Sequence, residues 1–156
     1  MHANHERTLL IIKPDALQRN LVSDIIARFE RKGLKLVGMK MMSIEDAVIK
    51  EHYSHHVDKP FFNDLKNFMQ STPVVVMAWQ GIEVVRIARQ LIGATSGRKA
   101  DIGTIRGDLS NSGSRNIIHG SDSVEAAHAE LKRFFKDDEL FDWHKTDTAH
   151  VYAEDE

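Results

Sequence analysis

Four short β-prone apolar runs, separated by stretches with helical spacing, set the possible folds of this chain. The first, Thr8 to Ile12, ends at Lys13-Pro14-Asp15. Its shortness and the proline behind it predict a buried strand rather than a helix. Leu21, Val22, Ile25, Ile26 and Phe29 then recur at three-to-four spacing and stop at Lys32-Gly33, the pattern of an amphipathic helix closed by glycine. In Leu34 to Met42 the apolar residues change parity between Leu36 and Val37, and Gly38 follows, so this strand should carry a bulge. Ser43 to Asp46 reads as a capped helix start, with helical pattern to His56. Lys59-Pro60 should open a second helix, with Phe61, Leu65, Phe68 and Met69 on one face. These two helices form a hairpin that can lie over the sheet as a lid. Of the adjacent Phe61 and Phe62, one suits the core and the other a stacking surface. Val74 to Trp79 is the most strand-like run, and Gly81 should turn it into a helix that ends at Gly93. Ile117-Ile118 carries the chain into His119, and Val124, Ala127, Leu131, Phe134 and Phe135 mark a last amphipathic helix.

This order predicts an α+β ferredoxin-like sandwich with a four-stranded, mainly antiparallel sheet and helices over one face. It includes the inserted helical hairpin and a long phosphate-binding loop, and a flavodoxin-like parallel sheet is the alternative. Residues 1–156 are read as one domain, with residues 1–6 loose and 137–156 a polar tail. Leu140, Phe141, Trp143, Val151 and Tyr152 in that tail should dock it on its own domain or on a neighbouring subunit.

Composition removes several classes of function. With 42% hydrophobic and 28% charged residues the chain is an ordinary globular one. A net charge of −2 gives no broad basic face for nucleic acid. Absence of cysteine excludes disulfides, thiolate metal sites and cysteine nucleophiles. The polar N-terminus is not a signal peptide and no run can span a bilayer, so a cytoplasmic location is expected.

The chemistry concentrates at Arg115 to Ser123. There a buried strand should present one imidazole and then turn into a helix N-terminus, whose free N–H groups suit an anion. A histidine beside an anion can act as a base or as a nucleophile that accepts a phosphoryl group. Glu130 is placed to face back from the last helix and fix the imidazole tautomer. Lys13 sits where the first strand leaves the sheet, and Arg89 near the end of the helix before Gly93. The stretch from Ala94 to Arg115 lacks apolar periodicity. It carries the glycines, hydroxyls and arginines needed to hold phosphates, without a P-loop or a dinucleotide-binding glycine pattern. His52 and His56 lie one helical turn apart, but no third ligand is spaced for zinc and no protein metal site is expected. His2, His5, His144 and His150 should face solvent.

The motifs Ile12-Lys13-Pro14-Asp15, Glu51-His52-Tyr53, Lys59-Pro60-Phe61-Phe62, Gly93-Ala94-Thr95, Gly103 to Asp108 and Asn116-Ile117-Ile118-His119-Gly120-Ser121-Asp122 occur in this order. From about Glu6 to Tyr152 the chain resembles the nucleoside diphosphate kinase family. The resemblance implies ping-pong transfer of the γ-phosphate of a nucleoside triphosphate, such as ATP, to a nucleoside diphosphate through a phosphohistidine on His119. By resemblance, Lys13 stabilises the moving phosphoryl and Tyr53 lines the site. Arg89, Thr95 and Arg106 bind the other phosphates, and Asn116 the sugar 3′-hydroxyl. Phe61 stacks on the base with Leu65 nearby, and Ser121 and Glu130 support His119. Mg²⁺ is implied to arrive on the nucleotide phosphates, with Asp122 helping to place it through water. A hexamer is implied more than a tetramer. The loop departs from the family pattern at Ser96-Gly97, Ile102 and Ser114, and Gln80 replaces a more usual glutamate. The competing readings are a non-catalytic scaffold, which should have lost the histidine, lysine or an arginine, and a nucleic-acid-binding ferredoxin-like module, which needs exposed strand aromatics and a basic face.

Overall fold

The computed structural model describes residues 5–156. Its four strands are β1 (His5–Ile12), β2 (Lys35–Met42), β3 (Val74–Ile82) and β4 (Ile118–Gly120). They form one sheet in the order β2-β3-β1-β4, with every neighbouring pair antiparallel. The antiparallel register excludes the flavodoxin-like alternative. The central strands β1 and β3 are apolar without alternation because both faces of the sheet are covered. On one face Leu10, Ile12, Met77 and Trp79 pack against α2 (Val22–Arg31) and α5 (Val84–Ile92). On the other, Leu9, Ile11, Val76 and Ala78 meet α3 (Asp46–His52), α4 (Phe62–Met69) and α7 (Val124–Phe134). The expectation of helices on one face is therefore corrected: the lid hairpin and the last helix form a second layer.

The bulge falls at Leu36/Gly38, where the pairing with β3 shifts by one residue. Several boundaries differ from the sequence reading. β1 begins at His5, so two of the six residues expected to be loose are in the sheet, and the His5 ring rests against Tyr152 instead of facing solvent. His2 lies outside the described residues. The α3 N-cap is Glu45 and makes no side-chain cap bond, and α4 starts two residues beyond Pro60. β3 continues through Gly81, where a side chain would collide with Leu34 and Tyr152. The turn into α5 is made instead by Glu83 in a left-handed conformation (φ 49°).

The loop from 94 to 115 contains a short helix, α6 (Ile105–Leu109), capped by the Thr104 hydroxyl, which accepts from Gly107 N–H at 3.0 Å. Around α6 the loop is densely tied. Gly97 N–H donates to the Ser112 carbonyl at 2.9 Å, and Gly97 lies too close to Ser110 for any side chain. Arg28 holds Asp108, and Asp108 in turn accepts from Gly103 N–H. The departure at Ser96-Gly97 therefore sits in a packed segment, whereas Ile102 is exposed. The tail lies on its own domain along the outer edge of β2. Phe141 N–H donates to the Val37 carbonyl at 2.7 Å, and Trp143 Nε1 donates to the Leu36 carbonyl at 2.8 Å.

Candidate active site

A cleft of about 1060 Å³ opens between the lid hairpin and the ends of β1 and β4. That volume suits a ligand of nucleotide size. His119 reaches it from β4 by way of an unusual backbone. Ile117 has φ 61°, and Ile118 N–H donates across it to the Asn116 carbonyl at 2.7 Å, forming a γ-turn. A β-branched residue is strained there, and such strain persists only when its surroundings over-determine it. They do so here. Ile117 N–H donates to Asp15 at 3.1 Å, and its carbonyl accepts from Lys13 N–H at 2.9 Å. The Lys13-Pro14-Asp15 motif thus clamps the strand that carries the histidine.

His119 Nε2 lies 3.1 Å from a Glu130 oxygen, and the Ser121 hydroxyl donates to the same oxygen at 2.6 Å. Burial pushes the Glu130 carboxyl up, but the bonds from His119 and Ser121 and the imidazole charge outweigh it and hold Glu130 below the usual carboxylate range. Glu130 is therefore an acceptor at neutral pH. The proton sits on Nε2, and Nδ1 keeps a free lone pair. The expected anion site at the α7 N-terminus is corrected. The Ser123 hydroxyl accepts from Ala126 N–H at 3.0 Å, and no residue of the first turn of α7 lines the cleft.

Cationic groups converge on the same cleft. Lys13 is buried and donates to Asn116 Oδ1 at 2.8 Å. Burial and the nearby Arg106 bring its pKa down to about 8, against a weaker opposing pull from Asp15. Arg106 is buried too, and donates to the carbonyls of Asn116, Gly93 and Ile118. Burial and then Arg89 lower it to about 10, so it stays charged at neutral pH. Three of its five N–H donors are spent on the backbone, and the rest remain for a ligand. Arg89 is exposed and pairs with Asp122 at 2.8 Å. The Asn116 amide donates to the Thr95 carbonyl at 2.9 Å, which holds Thr95 at the cleft mouth. Phe61 is 48% exposed on the lid with Leu65 beside it, whereas Phe62 is core. Tyr53 also lines the cleft. All eleven residues singled out from the sequence thus lie in or directly support one cleft.

His52, His119 and Glu130 present ligand atoms within 4.8 Å of one another, a set of the kind zinc takes. The surroundings do not fit a metal. Arg133 Nη1 lies 3.1 Å from His52 Nδ1. A guanidinium can only donate, so Nδ1 accepts and Nε2 carries the proton. A ligand needs a bare ring nitrogen, and this tautomer leaves none turned to the cluster. Separately, burial and then His119 drive the His52 pKa down to about 3, so the ring is neutral at neutral pH.

The family model for nucleoside diphosphate kinase matches residues 6–140. A nucleoside diphosphate kinase of Parabacteroides distasonis is 50% identical over 151 residues, 97% of this chain and 99% of that protein. This chain belongs to the nucleoside diphosphate kinase family. Nucleoside diphosphate kinase 3 of Danio rerio is 48% identical over 149 residues, covering 96% of this chain and 88% of its own length. The structure of a halophilic nucleoside diphosphate kinase from Halobacterium salinarum in complex with CDP superposes with a TM-score of 0.91 at 49% identity, over 94% of this chain and 98% of that one. The histidine motif, Lys13, Arg89, Thr95 and Arg106 share one cleft. Sequence reasoning missed two groups that support it from behind. Asp15 was visible only as part of a motif, and its bond to Ile117 spans 102 residues. Arg133 gave no signal, because its contact with His52 spans 81 residues.

Proposed function

We propose that the chain transfers the γ-phosphate of a nucleoside triphosphate to a nucleoside diphosphate, with His119 Nδ1 as the covalent carrier. The observation that carries this reading is the Ser121–Glu130–His119 chain, which protonates Nε2 and leaves Nδ1 as the ring nitrogen with a lone pair. In the first half-reaction Nδ1 attacks the γ-phosphorus, an N–P bond forms, and the bond to the β-phosphate oxygen breaks as the diphosphate leaves. Nε2 keeps its proton, and the Glu130 carboxylate balances the positive charge on the phosphorylated ring. The second half-reaction reverses these steps with a new diphosphate, so no net proton moves.

The remaining roles follow from charge and place. Lys13 stabilises the transferring phosphoryl, and Tyr53 closes that end of the cleft. Arg89 exchanges the Asp122 carboxylate for phosphate, and Arg106 and Thr95 hold the non-reacting phosphates with their remaining donors. Asn116, already bonded to Lys13, meets the 3′-hydroxyl. Phe61 stacks on the base with Leu65 alongside, which favours no particular base. Mg²⁺ demands several oxygens, and of the three carboxylates lining the cleft Glu130 is bonded to His119 and Ser121, Asp122 pairs with Arg89 and Asp64 stands on the lid. The ion is therefore carried on the nucleotide phosphates, where it neutralises charge. Among the described residues no helix is long and apolar enough to cross a membrane, and we place the protein in the cytoplasm. Met39 and Met41 on β2, Trp143 on the tail and Ile102 in the loop are exposed apolar residues that support assembly, for which we propose a hexamer.

Intact mass after brief incubation with ATP and Mg²⁺ at neutral pH, beside a His119→Gln control, tests the reading. One added phosphoryl group, removed by GDP and absent from the control, is expected. Folded, nucleotide-bound protein without the adduct would move the chain to the scaffold reading.

A further inference from the structure

We infer that His52, locked in one tautomer by Arg133, is a positioning residue that fixes the aim of His119. The inference rests on the phosphohistidine reading above. A single hydrogen bond from Nε2 to Glu130 pins the nucleophilic ring at one point and leaves it able to rock about that point. In-line attack needs Nδ1 held to well within an ångström, and small misplacements are costly in rate. The second constraint is His52. Its ring lies 4.8 Å from the His119 ring at an interplanar angle of 81°, an edge-to-face contact that blocks rocking.

His52 is itself held from several sides. Phe134 stands at 5.1 Å and 83°, and Tyr53 at 4.7 Å and 71°. The third hold is polar: Arg133 Nη1 on Nδ1 at 3.1 Å, with the same guanidinium paired to Glu51 at 3.2 Å. Rings alone would permit His52 to flip end for end. The guanidinium does not, because after a flip it would face a carbon in place of an acceptor. A chain from Glu51 through Arg133 and His52 thus reaches the nucleophile beside Glu130, polar atoms of His52, His119 and Glu130 lying within 4.8 Å of one another. None of its members before His119 takes part in the bond changes.

Rapid-quench phosphorylation by ATP and steady-state kinetics on the wild type, His52→Ala, His52→Phe, Arg133→Met and the His52→Phe/Arg133→Met double variant test this. His52→Ala should slow phosphorylation on the order of tenfold with nucleotide KM nearly unchanged, as loss of aim without loss of binding requires. His52→Phe keeps the ring contact and should recover most of the rate. Arg133→Met should cost several-fold alone and nothing further beside His52→Phe. A His52→Ala rate within twofold of wild type would overturn the inference. So would a folded His52→Phe no faster than His52→Ala, or an Arg133→Met cost that persists in the double variant. Thermal melts on each variant identify any that fail to fold. If the wild type itself forms no phosphohistidine, the parent reading fails instead.

Discussion

The two walls of the cleft are built on different principles. The wall that carries the nucleophile is tied down at nearly every polar atom: His119 to Glu130, Glu130 to Ser121, Lys13 to Asn116, Arg106 to three carbonyls. The lid wall holds Phe61, His55 and His56, which are exposed or half-buried. Its helices are tied behind the cleft by Lys66 and Gln70 to Asp46, but the side chains it shows at that end meet as rings, with His55 on His56 at 3.8 Å. Phosphoryl transfer needs fixed charges and a fixed nucleophile, whereas base binding needs only a flat apolar face. In the proposed reaction the polar ties fall where the transfer requires them, and the lid offers the base only an apolar ring.

The largest expected effect that separates the walls is on acid stability. His52 ends α3 of the lid hairpin but is buried against His119 of the rigid wall, and burial pushes it from about 6.5 when unfolded to about 3 when folded. Between those values the unfolded chain binds the extra proton. The stability that neutral His52 contributes is therefore present above about pH 6.5 and is lost as pH falls toward 3, a change on the order of 4 kcal/mol. Urea unfolding across that range should show the loss in wild type and a flatter profile in His52→Phe. His55→Gln and His56→Gln on the lid should track the wild type, and a lid variant that flattened the profile would erase the contrast. Next in size, Glu130→Gln should lower kcat about a hundredfold, because an amide cannot balance the phosphorylated ring's charge, while nucleotide KM stays within about twofold. The smallest effect belongs to the lid. Phe61→Ala should raise nucleotide KM about tenfold through lost stacking and leave kcat and the melting temperature nearly unchanged. A kcat loss comparable to that of Glu130→Gln would mean that the lid also takes part in positioning.

How much of this was legible in the sequence depended on how far apart the interacting residues lie. The strands announced themselves by apolar runs, the bulge by the parity change before Gly38, and the nucleophile by its own motif. Glu130 was readable because it lies eleven residues from His119, on the next helix. The short helix α6 was hidden: only Ile105 and Leu109 are apolar on it, Gly107 interrupts it, and its cap Thr104 looks like a phosphate-binding hydroxyl. Arg106 was read as a phosphate ligand, yet much of its donor capacity holds the backbone, which no local pattern reports. The covering of both sheet faces was implicit in the unbroken apolar runs of β1 and β3 but overridden by the expected sandwich. The Arg133–His52 contact has no local signature at all.

The strained turn at Ile117 has a temporal consequence. Its two clamps come from Asp15 and Lys13, and β4 pairs only with β1, more than a hundred residues earlier in the chain. During synthesis β1, the lid, Arg89, Arg106 and the phosphate loop all emerge before the reactive strand itself. The nucleophile becomes a nucleophile only when the chain's beginning and its last third have met, so chemical competence is among the last properties that this polypeptide acquires.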